Sequence, residues 1–286
     1  MTTPTVLDRE EFIEQAYFFR VFRDRLTENM AAQDILARLH EEILTTTRLP
    51  MAIQFLSTDL RHTGLLASGL ARLPHYFTGF QAYVIQQAEQ DNMRFTMPVA
   101  LLVLEREAAY KASSPTRPGL FVYQFETICR NRLGYDDGLR AMAHDPFYDE
   151  PWQEYLNLVR KQVGAIDFAD LVYLRSEMHA IEMLRKDPEY QPTKAPLFGE
   201  KEGKIAKASR GRDPLFLFAA LQRQLGYPEV PRPRPKDDIG AKFEELQVQF
   251  KEMEARLRLL ESEARGNLDL TQFDPKVTDK WEDDQK

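Results

Sequence analysis

The sequence predicts an all-α fold: a multi-helix globular bundle followed by a proline-rich linker and a C-terminal coiled-coil helix. Three observations carry that prediction. Leucine outnumbers valine and isoleucine together, and the 286 residues include only 13 glycines and 17 prolines, which disfavours strand-rich architectures. Helix caps and helix-opening prolines punctuate the chain where hairpin turns would otherwise stand. After residue 238 a four-and-three apolar repeat sets in. With 43% hydrophobic residues the chain has enough apolar mass to fold around a core.

Asp8 and Glu11 stand in a capping-box pattern ahead of Phe12, Ala16, Phe19, Phe22 and Leu26, one apolar stripe at helical spacing. A second helix is predicted through Ile35, Leu36, Leu39, Ile43 and Leu44. Pro50 suits a first helical position and opens a third, running to about Leu73. There Gly64, Ser68 and Ala71 line one face with small side chains, which lets a neighbouring helix approach. Pro74 opens a fourth helix with Phe77, Phe80, Tyr83 and Val84. Pro98 opens a fifth, apolar on every side over 99–104 and so expected to be the most buried. A polar break at 113–118 is a candidate sub-boundary.

The stretches 120–135 and 215–227 both end in Leu-Gly-Tyr, so Gly134 and Gly226 are expected in the left-handed position after a helix, with the tyrosine folding back. Asp136, Asp149 and Asp167 read as N-caps and Gly164 as a stop. They predict helices at 137–144, 150–164 and 168–186. Pro188, Pro192 and Pro196 mark a loop, and Asp213-Pro214 opens the last helix of the body. The resulting organisation is a helical body over 1–227, a stiff linker over 228–238 that spaces the last helix from the body, a coiled-coil helix over 239–266 and an acidic tail over 267–286.

In the coiled-coil segment Ile239, Leu246, Met253 and Leu260 take the d positions, and Phe243, Phe250, Leu257 and Ala264 the a positions. At about 1.5 Å per residue this makes a rod of roughly 40 Å. A stripe two residues wide in seven does not hold a lone helix in water, so it must meet the body, another copy or another protein. Two bulky Phe at a favour antiparallel or higher-order pairing over a tight parallel dimer.

Charge narrows the function classes. Of the net −7, the segment from Lys236 onward contributes −5 and the remaining residues −2. A nearly neutral body argues against general nucleic-acid binding, which sets many cations against phosphates. No run approaches the roughly 20 apolar residues of a membrane span. The start MTTPTVLDREEF lacks the basic-then-apolar pattern of a secretory signal, so a cytoplasmic protein is expected.

Chemistry is sparse. P-loop, GxGxxG, GxSxG and HExxH patterns do not occur. Asp59 and His62 share a helix face and could ligate one metal, and His144-Asp145 resembles the His-Asp pair of HD-type phosphohydrolases. Asp145 precedes a proline, however, and a helix-end role explains it. Cys129 sits among Phe125, Ile128 and Leu133 as a buried structural thiol, and Glu105, Glu107 and Glu126 read as surface charges. Lys201, Lys204, Lys207, Arg210 and Arg212, with Gly203 and Gly211 nearby, form a candidate anion-binding segment, a partner for the acidic arm or a solvated connector.

The expectation is a non-enzymatic assembly or adaptor protein with no metal or cofactor. It would associate with itself or a protein partner through Ile239, Phe243, Leu246, Phe250, Met253, Leu257 and Leu260. One alternative is a helical enzyme or ligand-binding protein with a site between helices near His62 and His144. Another is anion or RNA binding through 201–212.

Overall fold

The computed structural model describes residues 6–90 and 95–233, together with Phe250 and Met253. By contacts the chain divides into two compact units, Met1–Pro233 and Arg234–Lys286. The described residues form thirteen helices and no strand. The mobile tail expected over 267–286 lies outside the described residues.

The first helix, α1 (Arg9–Thr27), buries Phe12, Phe18, Phe19 and Phe22 and lies along α6. Asp8 is its N-cap residue without a side-chain cap bond, so the expected capping box is not formed. Glu11 turns inward instead, accepting from the Arg48 amide and the Tyr76 hydroxyl. The second helix stops early: α2 is Ala32–Leu39, and Ile43 is buried from the turn beyond it.

The long third helix is two. Gly64, at φ 74°, ends α3 (Leu49–Thr63), and α4 (Leu66–Ala71) turns back across it. Close approach belongs to Gly69, where an added Cβ would lie 2.8 Å from Leu56 Cδ2 and 3.2 Å from the Asp59 carboxylate. The fourth predicted helix begins later, as α5 (Gly79–Ala88). A capping box at Thr78 and Gln81 starts it, not Pro74, because those two side chains satisfy its first amides.

Pro98 lies in the first turn of α6 (Met97–Ala112), but that helix is not the most buried. Val99 and Leu102 stay partly open, whereas α7 (Arg117–Arg130) is buried at every residue over 119–128. One apolar cluster runs from Phe18 to Val230, so the helices on either side of 113–118 share a core.

The chain then reverses repeatedly. Arg132, at φ 55°, turns it after α7, while Gly134 at φ −67° is the N-cap of α8 (Tyr135–Ala143), so the first Leu-Gly-Tyr does not close a helix as expected. Asp136 falls inside α8 and pairs with Arg140 and Arg160. Asp149 caps α9 (Glu150–Gln162), Gly164 turns at φ 90°, and Asp167 caps α10 (Phe168–Leu174). The predicted 168–186 helix breaks at Arg175–Ser176, and α11 (Glu177–Lys186) restarts under a Ser176 cap. The break holds because Leu197 and Phe198 donate their amides to the Arg175 carbonyl and Glu177 donates to Phe198.

Two helices complete the unit, α12 (Glu200–Ser209) and α13 (Pro214–Leu225). Gly226, at φ 68°, ends α13 as expected, and Tyr227 folds back to bond the Phe218 carbonyl and Glu126. The linker does not stand off at once. Val230 and Pro231 are buried, Arg106 donates to the Glu229 carbonyl, and Asn131 donates to the Pro231 carbonyl at 3.2 Å. No helix among the described residues is long and apolar enough to cross a membrane.

Candidate functional site

Of the seam residues, Phe250 and Met253 are described and helical, while Ile239, Phe243, Leu246, Leu257 and Leu260 lie outside the described residues. The basic segment is described in full. It is mostly α12, and three of its five cations meet carboxylates of the body. Lys204 pairs with Glu200 at 2.6 Å, Lys207 with Glu182 at 2.7 Å, and Arg210 with Asp170 at 2.5 Å. The Arg210 guanidinium also lies 4.1 Å over the Tyr173 ring, and the Gly211 amide donates to Asp167. The Lys204 pair lies within α12, while the contacts of Lys207, Arg210 and Gly211 tie α12 to α10 and α11. Lys201 and Arg212 make no ion pair among the described residues.

Two pairs singled out by sequence come apart. Asp59 is buried against Arg72 and accepts from Ser68 at 2.8 Å, joining α3 to α4, while His62 is exposed on the same helix. His144 bonds the Arg140 carbonyl at the surface, whereas Asp145 turns inward. No group of three or more His, Cys, Asp or Glu stands at metal-holding distance among the described residues. Cys129 is half-buried, and burial, with a smaller push from Glu126, raises its thiol to about 12.

The glutamates correct the expectation of surface charges. Glu107 and Glu126 are buried, and Glu105 is half-buried against Arg23. Glu126 pairs with Arg130 and accepts from the Tyr227 hydroxyl at 2.6 Å.

Glu107 belongs to a triad that spacing alone does not reveal. Lys111, one turn on, reaches Glu107 at 3.3 Å and Asp145 at 2.7 Å, with all three side chains at most 2% exposed. Burial opposes the Lys111 charge, but the two carboxylates together hold its pKa above the ordinary value. Burial raises Glu107, against the pull of Lys111. Gln124 bridges Glu107 to the Tyr148 hydroxyl, while Glu107 Oε2 has no partner. The sequence signal was the i, i+4 Glu–Lys pair inside an apolar helix, a position where charges are kept only when paired.

A groove of about 740 Å³ lies between α4, α5 and α8. Leu70, Phe77, Ala82 and Tyr83 line its apolar part, and Gln86, Asp137, Arg140 and His144 its polar part. Glu89 at its edge accepts from the Leu66 and Ala67 amides that start α4. Burial raises its carboxyl, and those amides oppose the shift. His62 takes no part in this groove. The arrangement offers contact area with a few convergent polar groups. Comparison of the chain with protein-family models, with curated proteins and with solved structures returns no match, so the functional reading rests on these residues.

Proposed function

We propose that the chain is a non-enzymatic assembly or adaptor protein that works through protein–protein contacts and self-associates through its C-terminal heptad helix. The observation that carries this reading is the seam itself. Seven apolar residues from Ile239 to Leu260 alternate steps of four and three in an otherwise polar stretch. Such a stripe gains stability by burying itself against a matching one, and a second copy supplies the match.

Two features of the body support the reading. Its apolar cluster is built from its own helices, from Phe18 to Val230. Three carboxylates that could carry chemistry are engaged in structure: Asp59 with Arg72, Asp145 with Lys111, and Glu126 with Arg130 and Tyr227. The test is the mass of the full chain by light scattering, for the wild type and for Phe250→Asp with Leu257→Asp. The expected result is a multiple of 33.3 kDa for the wild type and the single-chain mass for the variant, with the body's thermal transition unchanged. A wild type that stays at the single-chain mass at every concentration defeats self-association.

A second reading, binding of a ligand between helices, is favoured by the α4–α5–α8 groove that His144 lines. Fragment titration against Ala82→Trp, placed in the groove wall, tests it: binding lost in a folded variant supports it, and binding unchanged removes it.

A further inference from the structure

The helix break at Arg175–Ser176 has a consequence on the surface. It opens a pocket of about 270 Å³ between the end of α9, the start of α11 and the segment 190–196. Leu158, Leu174, Ala180, Pro192 and Pro196 supply its apolar part. Arg175, Lys194, His179, Tyr190 and Thr193 supply its polar part, and no carboxylate lines it. Of its two cations, Lys194 is paired with Glu154 outside the lining, which leaves Arg175 as the one without a carboxylate partner among the described residues.

Arg175 is the centre of this arrangement. Its carbonyl receives the Leu197 amide at 2.7 Å and the Phe198 amide at 3.1 Å, so its backbone is held by the segment that follows the 190–196 loop. Its guanidinium lies 5.6 Å over the Tyr155 ring and gives one donor to the Ala195 carbonyl at 3.1 Å. Among the described residues no carboxylate pairs with it; the nearby Glu154 is bound to Lys194 at 2.6 Å. Burial accordingly pulls the guanidinium below its ordinary pKa.

Two polar atoms here are buried without a partner: Arg175 Nε and the hydroxyl of Tyr155, whose ring the guanidinium covers. Buried donors are ordinarily satisfied, and apart from the one donor on Ala195 the Arg175 guanidinium, which lines the pocket, has no protein acceptor among the described residues. The Tyr190 and Thr193 hydroxyls make no internal hydrogen bond among the described residues and line the same space.

We propose that this pocket binds a small organic carboxylate, its head held by the Arg175 guanidinium with Lys194 and the Thr193 hydroxyl, its apolar part against Leu158, Leu174 and Pro192. A carboxylate matches the planar guanidinium of one arginine, and since the Lys194 charge is already shared with Glu154 the site lacks the several unpaired charge-assisted donors that phosphate sites gather. The apolar half of the lining would be wasted on an inorganic anion. The volume lies just below the range of about 300–1,000 Å³ for drug-sized ligands, which restricts the occupant to a small molecule.

The experiment is calorimetric titration of the full chain with hexanoate, benzoate, hexanamide and inorganic phosphate. Hexanoate or benzoate is expected to bind saturably at one site, with hexanamide and phosphate weaker by about tenfold or more. Arg175→Gln is expected to weaken the carboxylate by a similar factor. Ala180→Phe, which fills the pocket from α11 and leaves every charge in place, is expected to abolish binding. If Arg175→Gln does not fold, Lys194→Gln on the exposed side of the pocket replaces it. Hexanamide binding as well as hexanoate overturns the role of the guanidinium, and phosphate binding as well overturns the organic class. Carboxylate binding that survives Ala180→Phe in the folded protein, or no saturable binding of either carboxylate, overturns the site.

Discussion

Removing the cation of the buried triad is the sharpest test of how this body is held together. Lys111→Met keeps roughly the volume and helix propensity of the lysine stem and removes one charge. In the folded protein the ammonium stands 2.7 Å from Asp145 and 3.3 Å from Glu107, inside the core. At an effective dielectric of about 20 those separations correspond to about 5–6 kcal/mol of attraction with each carboxylate. Much of that is offset by the dehydration of three ions, so the net loss on breaking the cluster is about 3–5 kcal/mol. For a unit of this size that lowers the melting temperature by about 6–20 °C.

The pH dependence gives the prediction its sign. Burial already holds Glu107 above its ordinary carboxylate value, and Lys111 is what restrains the shift. A carboxyl whose folded pKa exceeds its unfolded value stabilises the fold fully below the unfolded value, and that contribution is lost as pH rises through the folded one. The variant should therefore recover stability, relative to wild type, as pH falls from about 7 toward the unfolded carboxyl value of about 4.3. Lys111 itself is held above its ordinary value, so its contribution is complete below the unfolded lysine value and lost as pH rises through the higher folded one. The wild type should accordingly show an alkaline loss of stability that the variant lacks. Urea unfolding followed by circular dichroism between about pH 4 and 12 reads both effects, since the acid recovery runs down to the unfolded carboxyl value and the alkaline loss begins only above the unfolded lysine value of about 10.4. Adding Glu107→Gln and Asp145→Asn to Lys111→Met removes every charge of the cluster and should restore most of the loss. A Lys111→Met protein within about 0.5 kcal/mol of wild type would refute the reasoning, as would a relative pH trend of the opposite sign.

Three further outcomes follow from other contacts. Because burial raises the Cys129 thiol to about 12, its reaction with a thiol reagent near pH 8 should run about a thousandfold slower in the native protein than in the unfolded chain; comparable rates would contradict the burial. Gly203→Ala should destabilise the body by about 1–3 kcal/mol in urea unfolding. Its new Cβ would collide with the Ser176 hydroxyl and lie 2.6 Å from Met178 Cβ, at the cap that restarts α11. Tyr227→Phe should cost about 1–3 kcal/mol in the same assay. It leaves the buried Glu126 carboxylate without the hydroxyl now 2.6 Å away, and a neutral result would mean that water replaces that donor.

The candidate site was legible in part. The seam is a one-dimensional heptad pattern that spacing alone suggests, and apart from Phe250 and Met253 it lies outside the described residues. The cations of 201–212 were legible as a cluster, but their engagement was not, since Glu182 and Asp170 approach from other helices. The Arg175 pocket left no local signal. A lone arginine inside an apparently continuous helix looks like any solvated one until the segment around Phe198 is seen to interrupt that helix.

By itself the sequence determined that the chain is helical, where Asp149, Asp167 and Asp213 start helices, and that Gly164 and Gly226 are places where a helix stops. Those features depend on side chains acting within a turn of themselves. Tertiary structure decided the rest: that Gly64 splits a helix, that Arg132 and not Gly134 takes the strained turn, and that α7 lies deeper than α6. It also decided that Lys111, Glu107 and Asp145 meet in the core. A helix's own pattern says which face is apolar, but burial, ion pairing and broken backbone ladders are fixed by segments tens of residues away, which the local pattern does not encode.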